Sequence, residues 1–196
     1  LLKGRGLKTV QYVSPTVWAW RSGRVRRIKR NIDLMLTLFP FEEAIYREHD
    51  IPVAFVGHPK ASEIDPSAGF AGRSVARDNL EIPHDACVIA VLPGSRRSEV
   101  ATSGRDFFSA LTLLNSNVDL ILLPAASEQR RIQIMELLAS FPTLVSSVRV
   151  LSGDSRMAMT AADLVLANGG TAVLEAMLLK RPVVMSYRIG RLSYLI

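Results

Sequence analysis

The feature that most constrains the fold is the alternation of short apolar segments with helix-like segments along the chain. In the second half, strands are predicted at 87–92, 118–123, 148–151, 163–167 and 182–187, with helices at 98–114, 127–140, 155–161 and 171–179. The first part shows the same order, with predicted strands at 8–13, 32–38 and 53–56 and helical stretches at 17–30, from 40 onwards and at 73–80. Fully apolar strands separated by helices are typical of a parallel sheet covered on both faces, so the sequence predicts an α/β fold.

The periodicity is weakest between residues 57 and 73, where Gly, Pro, Ser and Asp cluster. We interpret this segment as a linker, and we expect one α/β domain in 1–60 and a second in 61–196. The chain begins with Leu1 rather than Met and ends at Ile196 inside an apolar segment, so we expect a fragment in which the first domain and the C-terminal end are incomplete. The single cysteine, Cys87, excludes an intrachain disulfide and is predicted to be a small core residue.

Charge is concentrated in one segment of this basic chain, which has a formal net charge of +6. Six cations fall within ten residues: Arg21, Arg24, Arg26, Arg27, Lys29 and Arg30. Such a run fits a solvated helix face, an anionic membrane surface or a nucleic-acid partner. Trp18 and Trp20, just before it, favour contact with a membrane surface, because aromatic residues beside cations suit the headgroup region. No apolar run reaches the ~18 residues that span a bilayer.

The first candidate site is the turn Gly94-Ser95-Arg96, where an apolar strand runs into a predicted helix. Free backbone N–H groups at such a helix start, together with the helix dipole, favour an anion. Arg96 adds a guanidinium that can grip a phosphate, and Ser95 adds a hydroxyl donor. The same pattern also fits an ordinary strand-to-helix turn with a surface arginine.

The second candidate site follows the strand at 163–167, where Asn168, Gly169, Gly170 and Thr171 precede a helix. We predict Thr171 as the helix N-cap and a second anion or ribose site at this turn. Glu175, one turn further on, is placed to accept both hydroxyls of a ribose, or it is an ordinary acid near a helix start.

Three further patterns bear on function. The end of the strand at 148–151, residues 152–154, lies at the same predicted edge of the sheet. His58 at the proposed hinge is a candidate donor to a substrate, or a hydrogen-bonded hinge residue. No cluster of His, Cys, Asp and Glu has metal-ligand spacing, and no P-loop or G-x-S-x-G pattern occurs, so we expect no protein-held metal, no nucleoside triphosphatase and no serine hydrolase.

Several segments together resemble the lipid-A-disaccharide synthase family over nearly the whole chain. They are 10–21 (VQYVSPTVWAWR), 39–42 (FPFE), 55–59 (FVGHP), 92–100 (LPGSRRSEV) and 170–175 (GTAVLE). Two departures stand out: Gly169 lies where the family usually has a serine, and Lys60 replaces a common apolar residue after His58-Pro59. With glycine at position 169, the chain lacks the hydroxyl that the resemblance implies would contact the nucleotide there.

The resemblance implies two Rossmann-like domains that face each other across a cleft, the glycosyltransferase B type. Residues 1–60 would end the acceptor-side domain and 61–196 would form a truncated UDP-sugar-binding domain. The implied reaction transfers 2,3-diacylglucosamine from UDP to 2,3-diacylglucosamine 1-phosphate with inversion, giving lipid A disaccharide 1-phosphate and UDP. It needs no cofactor, since the UDP-sugar is a substrate. The enzyme would be a peripheral protein on the cytoplasmic face of the inner membrane of Gram-negative bacteria, and a homodimer at full length.

The resemblance leaves the catalytic residue unassigned, because the general base is expected upstream of residue 1. The substrate-binding set is therefore Gly94, Ser95, Arg96, Gly170, Thr171, Glu175, His58 and Asn168, with Arg96 as the main charge on the diphosphate. We expect residues 1–196 alone to be inactive and expect no nucleic-acid partner. The alternatives are a UDP-N-acetylglucosamine epimerase, a peptidoglycan glycosyltransferase, or a non-catalytic RNA- or anionic-surface-binding module centred on 21–30. The Trp18-Ala19-Trp20 segment argues against the first two.

Overall fold

The computed structural model describes residues 2–17, 23–65, 67–114 and 117–188. The chain divides into two compact units, Leu1–Glu63 and Ile64–Ile196. Each unit contains a parallel sheet, so the predicted α/β class is confirmed.

The first unit contains a three-stranded sheet among its described residues, with β1 (Val10–Tyr12), β2 (Leu34–Thr37) and β3 (Val53–Phe55) in the order β1-β2-β3. Its helices are α1 (Arg24–Asn31), α2 (Glu42–Arg47) and α3 (Pro59–Glu63), and a 3₁₀ turn covers Lys3–Arg5. Met35 of β2 and Tyr46 of α2 are fully buried in the core of this unit. The Tyr46 hydroxyl lies 2.7 Å from Ser14 Oγ, which gives this buried polar group a partner.

The second unit contains a five-stranded parallel sheet within the part of the chain that the structure describes. The strands are β4 (Val88–Leu92), β5 (Leu120–Ala125), β6 (Val148–Ser152), β7 (Leu164–Ala167) and β8 (Val183–Met185), in the order β6-β5-β4-β7-β8. The helices are α4 (Ala68–Asn79), α5 (Arg97–Glu99), α6 (Arg105–Leu114), α7 (Glu128–Leu138), α8 (Ser155–Ala161) and α9 (Thr171–Leu178). A π-helical segment, Val100–Gly104, joins α5 to α6 in one continuous helical run, and a 3₁₀ segment covers Pro142–Ser147.

The central strand β4 is buried along its whole length and separates two cores. Val88, Ala90 and Leu92 face one core, which α4, α8 and α9 cover. Ile89 and Val91 face the other, which α6 and α7 cover. Burial on both faces explains why the strand is an unbroken apolar run in the sequence rather than an alternating one.

Two details of the sequence prediction were wrong: the start of α4 and the burial of Cys87. The boundary between the two units, after Glu63, falls inside the predicted linker at 57–73, but this segment also contains α3 and the start of α4, which begins at Ala68 rather than at 73. Its glycines suggest a linker because glycine disfavours helices, yet Gly69 allows a close helix approach: a Cβ there would lie 1.7 Å from the Leu179 carbonyl oxygen. Cys87 is exposed: it lies just before β4, where its backbone bonds to Asp119 and Leu120 but its side chain is outside the core.

A buried arginine, Arg77, bonds to several segments at the end of this sheet where its strands begin. Arg77 of α4 is fully buried, and its guanidinium donates to the carbonyl oxygens of Ala161, Pro83, His84 and Ala86. It also donates to Asp163 Oδ2 at 2.9 Å. The Asp163 carboxylate in turn accepts the Val88 N–H at 2.8 Å and pairs with Arg73.

Acid should weaken this cluster. Burial alone would raise the pKa of Asp163, but the Val88 N–H and the Arg77 and Arg73 guanidinium groups together hold this pKa below its ordinary value. Because the folded pKa is below the unfolded one, the stabilisation is complete above the unfolded pKa of about 4 and is lost as pH falls through the folded pKa. We expect Asp163→Asn to flatten the decline of the free energy of unfolding below about pH 5. Urea denaturation from pH 3 to 7 measures this slope, and a slope equal to that of the wild type would contradict the assignment.

Candidate functional site

The strand order of the second unit creates a crevice at its centre. The chain moves outward from β4 to β5 and β6 on one side, then returns to place β7 on the other side of β4. At such a switch point the loops that follow the two adjacent strands diverge, and ligands bind outside the carboxyl ends of the strands. A cavity of about 630 Å³ lies at this edge. Its lining includes the turns after β4, β5, β6 and β7, and Tyr187 beyond β8.

The backbone of three turns at this edge adopts left-handed conformations. Gly94 after β4 has φ +119°, Gly153 after β6 has φ +75°, and Gly169 and Gly170 after β7 have φ +97° and +68°. Glycine adopts these angles without the steric cost of a Cβ. The glycines therefore turn each strand sharply into the next helix, and they leave the helix starts open to the cavity.

The turn after β4, residues 93–96, is hereafter the phosphate turn. Gly94, Ser95 and Arg96 all line the cavity, and the Arg96 side chain is 78% exposed. Glu99, at the third position of the helix, also lines the cavity. Its Oε2 accepts the N–H groups of Ser95 at 3.0 Å and Arg96 at 3.1 Å, and its Oε1 accepts from the Arg96 guanidinium at 3.2 Å. The Glu99 carboxylate thus accepts hydrogen bonds from the backbone N–H groups at which the sequence predicts a bound phosphate.

The turn after β7, residues 168–170, is hereafter the glycine turn. Asn168 is only 6% exposed, although it lines the cavity, and its Oδ1 accepts a hydrogen bond from Ser103 Oγ. Ser103 lies in the π-helical segment that follows the phosphate turn. This buried hydrogen bond connects the glycine turn to the helical run that follows the phosphate turn. Sequence analysis did not single out Ser103 or Glu99, because a serine or glutamate in a helical pattern carries no signal of its tertiary partner.

The helix α9 begins at the glycine turn. Gly170, rather than the predicted Thr171, is its N-cap residue, and Thr171 is the first helical residue. Both residues line the cavity and are exposed. Glu175 lies one turn further along α9, is half-buried and is outside the cavity lining. A Cβ at position 169 would meet Met185 Sδ at 3.7 Å, which is an ordinary contact, but the φ of +97° disfavours residues other than glycine there.

His58 lies in the first unit and is not among the residues that line the cavity. Its Nδ1 accepts the Lys60 N–H at 3.1 Å, and its ring is 5.9 Å from that of Phe39. Phe39 also stacks on Phe41 at 5.8 Å. His58 thus lies beside an aromatic pair that follows β2, with the ring nitrogen Nδ1 engaged by the backbone.

The basic segment is described only in part. Trp18, Trp20 and Arg21 lie outside the described residues. In α1, Val25 is buried, whereas Arg24, Arg26, Arg27, Lys29 and Arg30 are exposed. Lys29 pairs with Asp50 at 3.3 Å. The cations therefore lie on the solvated face of an amphipathic helix.

The described residues contain neither a membrane-spanning helix nor a metal-binding cluster. Across 2–17, 23–65, 67–114 and 117–188, no helix has the length and apolar character to span a bilayer. In those same ranges, His, Cys, Asp and Glu side chains form no group of three that could hold a metal ion.

Solved structures with similar folds show the fold class of this chain. Sucrose-phosphate synthase from Thermosynechococcus elongatus has a TM-score of 0.57 at 18% identity, covering 92% of this chain and 48% of that protein. HepE from Anabaena, solved in complex with UDP-glucose, has a TM-score of 0.54 at 18% identity, covering 95% of this chain and 55% of that one. The fold is that of glycosyltransferases of the B type, as predicted.

Sequence comparison then specifies the family. The chain belongs to the lipid-A-disaccharide synthetase family, whose model matches residues 2–196. Lipid-A-disaccharide synthase of Alcanivorax borkumensis is 50% identical over 197 residues, covering 100% of this chain and 50% of that protein. The Chromohalobacter salexigens enzyme of the same name is 46% identical over 195 residues, covering 98% and 50%. The chain thus spans about half the length of these curated relatives. The matches favour this family over the epimerase, the peptidoglycan glycosyltransferase and the RNA-binding module.

Proposed function

We propose that this chain belongs to an inverting glycosyltransferase that moves 2,3-diacylglucosamine from UDP to 2,3-diacylglucosamine 1-phosphate, with UDP as the leaving group. One observation carries the proposal: in a member of this family, a single cavity at the switch point is lined by both predicted anion-binding turns. Gly94, Ser95 and Arg96 border it from one side of the switch point, and Asn168, Gly170 and Thr171 from the other.

The chemistry requires stabilisation of the departing diphosphate. As the bond from the sugar C1 to the β-phosphate oxygen breaks, negative charge grows on that phosphate. Backbone N–H groups at the start of α9 and the guanidinium of Arg96 lie at the cavity and supply matching positive charge. Such donors are held in place by the fold before reaction, so they stabilise the transition state without reorganising.

Glu175 is proposed to bind the ribose. An ionised carboxylate accepts from two hydroxyls at once, whereas a carboxamide offers one neutral acceptor. We expect Glu175→Gln to weaken UDP affinity about tenfold by calorimetry, equivalent to about 1.4 kcal/mol. With 2′-deoxy-UDP the wild type and variant should differ much less. Glu136→Gln, on an exposed position of α7, is the matched control. Equal UDP affinity in Glu175→Gln and wild type would remove Glu175 from the ribose site.

No residue of 1–196 is assigned as the general base, and His58 is a candidate donor to substrate from the acceptor-side domain. Asn168 is proposed to bind substrate from the cavity lining. The hydrogen bond from Ser103 Oγ to its Oδ1 fixes the orientation of its side-chain amide. Residues 1–60 would belong to the acceptor side and 61–196 to the UDP-sugar side.

We also propose that the protein is peripheral on the cytoplasmic face of the inner membrane and a homodimer at its natural length. The exposed cations of α1 support contact with anionic lipid. Sedimentation with phosphatidylglycerol vesicles against phosphatidylcholine vesicles tests the first proposal, and equal binding to both would refute it. Analytical ultracentrifugation tests the second, which a monomer at micromolar concentration would refute.

The decisive experiment is an assay of the protein at its natural length with radiolabelled UDP-2,3-diacylglucosamine and 2,3-diacylglucosamine 1-phosphate. The expected product is the β-1,6-linked disaccharide 1-phosphate, released with UDP in equal amounts. Residues 1–196 alone should bind UDP without turnover. Hydrolysis or epimerisation of the donor in place of transfer would refute the proposed reaction.

A further inference from the structure

We infer that Glu99 is an internal competitor of the nucleotide diphosphate: its carboxylate bonds to the phosphate turn and has to leave that turn when UDP binds. The inference rests on the proposed function and adds a residue that sets the affinity for the nucleotide.

The geometry of Glu99 is that of a bound anion. One carboxylate oxygen accepts two adjacent backbone N–H groups, those of Ser95 and Arg96, at 3.0 and 3.1 Å. The other accepts from the Arg96 guanidinium at 3.2 Å. A phosphate at a helix start uses the same donors, two amides and a forked cation, so the carboxylate reproduces two phosphate oxygens.

Gly94 makes this arrangement possible. A Cβ on Gly94 would lie 2.4 Å from Glu99 Oε2 and 2.5 Å from Glu99 Cβ. The glutamate therefore folds back over the turn, through space that any other residue at position 94 would fill. The φ of +119° at Gly94 also disfavours other residues there.

The carboxylate and a diphosphate cannot share this turn. The two amide N–H groups are already engaged, and a second anion beside the first would be repelled in a partly desolvated cavity. Glu99 lines the cavity and its side chain is 19% exposed, so rotation about its flexible bonds releases the carboxylate toward solvent. Arg96 then exchanges Glu99 for phosphate, and part of the binding free energy of UDP is spent on the exchange.

The test is the UDP affinity of Glu99→Gln measured by calorimetry, together with its thermal midpoint. The carboxamide keeps the size of the side chain but competes without charge, so UDP should bind about tenfold more tightly while the midpoint falls slightly. If Glu99 only capped the helix, its replacement would lower both the thermal midpoint and the affinity for UDP. Uridine, which carries no phosphate, should bind the variant and the wild type equally.

Controls separate the possible failures. The control is Glu128→Gln. Glu128 also lies in the first turn of a helix and pairs with an arginine three residues away, Arg131, but it does not line the cavity. This variant should leave UDP affinity unchanged. If Glu99→Gln folds poorly, Glu99→Asp keeps the charge at the helix start but withdraws it from the amides, and UDP should again bind more tightly. Unchanged or weaker UDP binding in the folded variants would overturn the inference and leave the proposed function intact. Failure of wild-type protein to bind UDP would overturn both.

Discussion

Replacement of Arg96 by alanine should lower kcat about 100-fold in the protein at its natural length. The guanidinium borders the cavity on a largely exposed side chain, with Glu99 as its carboxylate partner, and it is free to turn toward a diphosphate. Charge on the leaving phosphate grows toward the transition state, so the contact strengthens as the glycosidic bond breaks. Loss of such a contact costs about 3 kcal/mol, which is on the order of 10²-fold in rate.

Steady-state kinetics with both lipid substrates measures this effect. Arg97→Ala removes the same charge from the next, exposed residue, which is outside the cavity lining, and should keep activity within about twofold. Arg96→Lys should recover only part of the rate, because an ammonium cannot donate a parallel pair of hydrogen bonds. Near-normal turnover of Arg96→Ala would refute the assigned role.

Replacement of Arg77 by methionine should destabilise the second unit by about 3–5 kcal/mol. The substitution keeps much of the apolar stem but leaves the carbonyl oxygens of Ala161, Pro83, His84 and Ala86 without this donor. Asp163 also loses a cationic partner at a half-buried position. Since a whole domain is stable by only about 5–15 kcal/mol, this one change removes a large share.

Urea denaturation followed by circular dichroism measures this loss as a lower midpoint. Arg105→Met, on an exposed position at the start of α6, is the control and should change stability by about 0.5 kcal/mol or less. A midpoint for Arg77→Met equal to that of Arg105→Met would show that the buried guanidinium contributes little net stability.

The parts of the fold that the sequence predicts are those with local signals. Strand β4 is an unbroken apolar run, and Gly94 and Gly170 mark the turns that follow β4 and β7, so six predicted site residues line one cavity. Arg77 could not be recognised, because an arginine in a helical pattern is ordinarily exposed. The early start of α4 was missed since Gly69 is a helix breaker in isolation, and only tertiary packing against Leu179 explains it.

The site shows the same division between local and long-range information. The phosphate turn could be predicted because a strand, a glycine and an arginine are consecutive in the chain. Its occupation by Glu99 depends on a side-chain rotamer, and the contact from Ser103 to Asn168 spans 65 residues. Neither the rotamer of Glu99 nor the contact between Ser103 and Asn168 can be deduced from a pattern of residue types.

The strand order also has a consequence for synthesis on the ribosome. Val88 at the start of β4 is held by Asp163, which is 75 residues further along the chain. At typical elongation rates, roughly 4 to 15 s separate the emergence of these two residues. Throughout that interval one edge of β4, the strand that is buried along its whole length in the folded unit, has no neighbour, and unpaired edges invite association with other nascent chains. We therefore expect this protein to depend on chaperones during translation, and slower translation upstream of β7 to increase its aggregation.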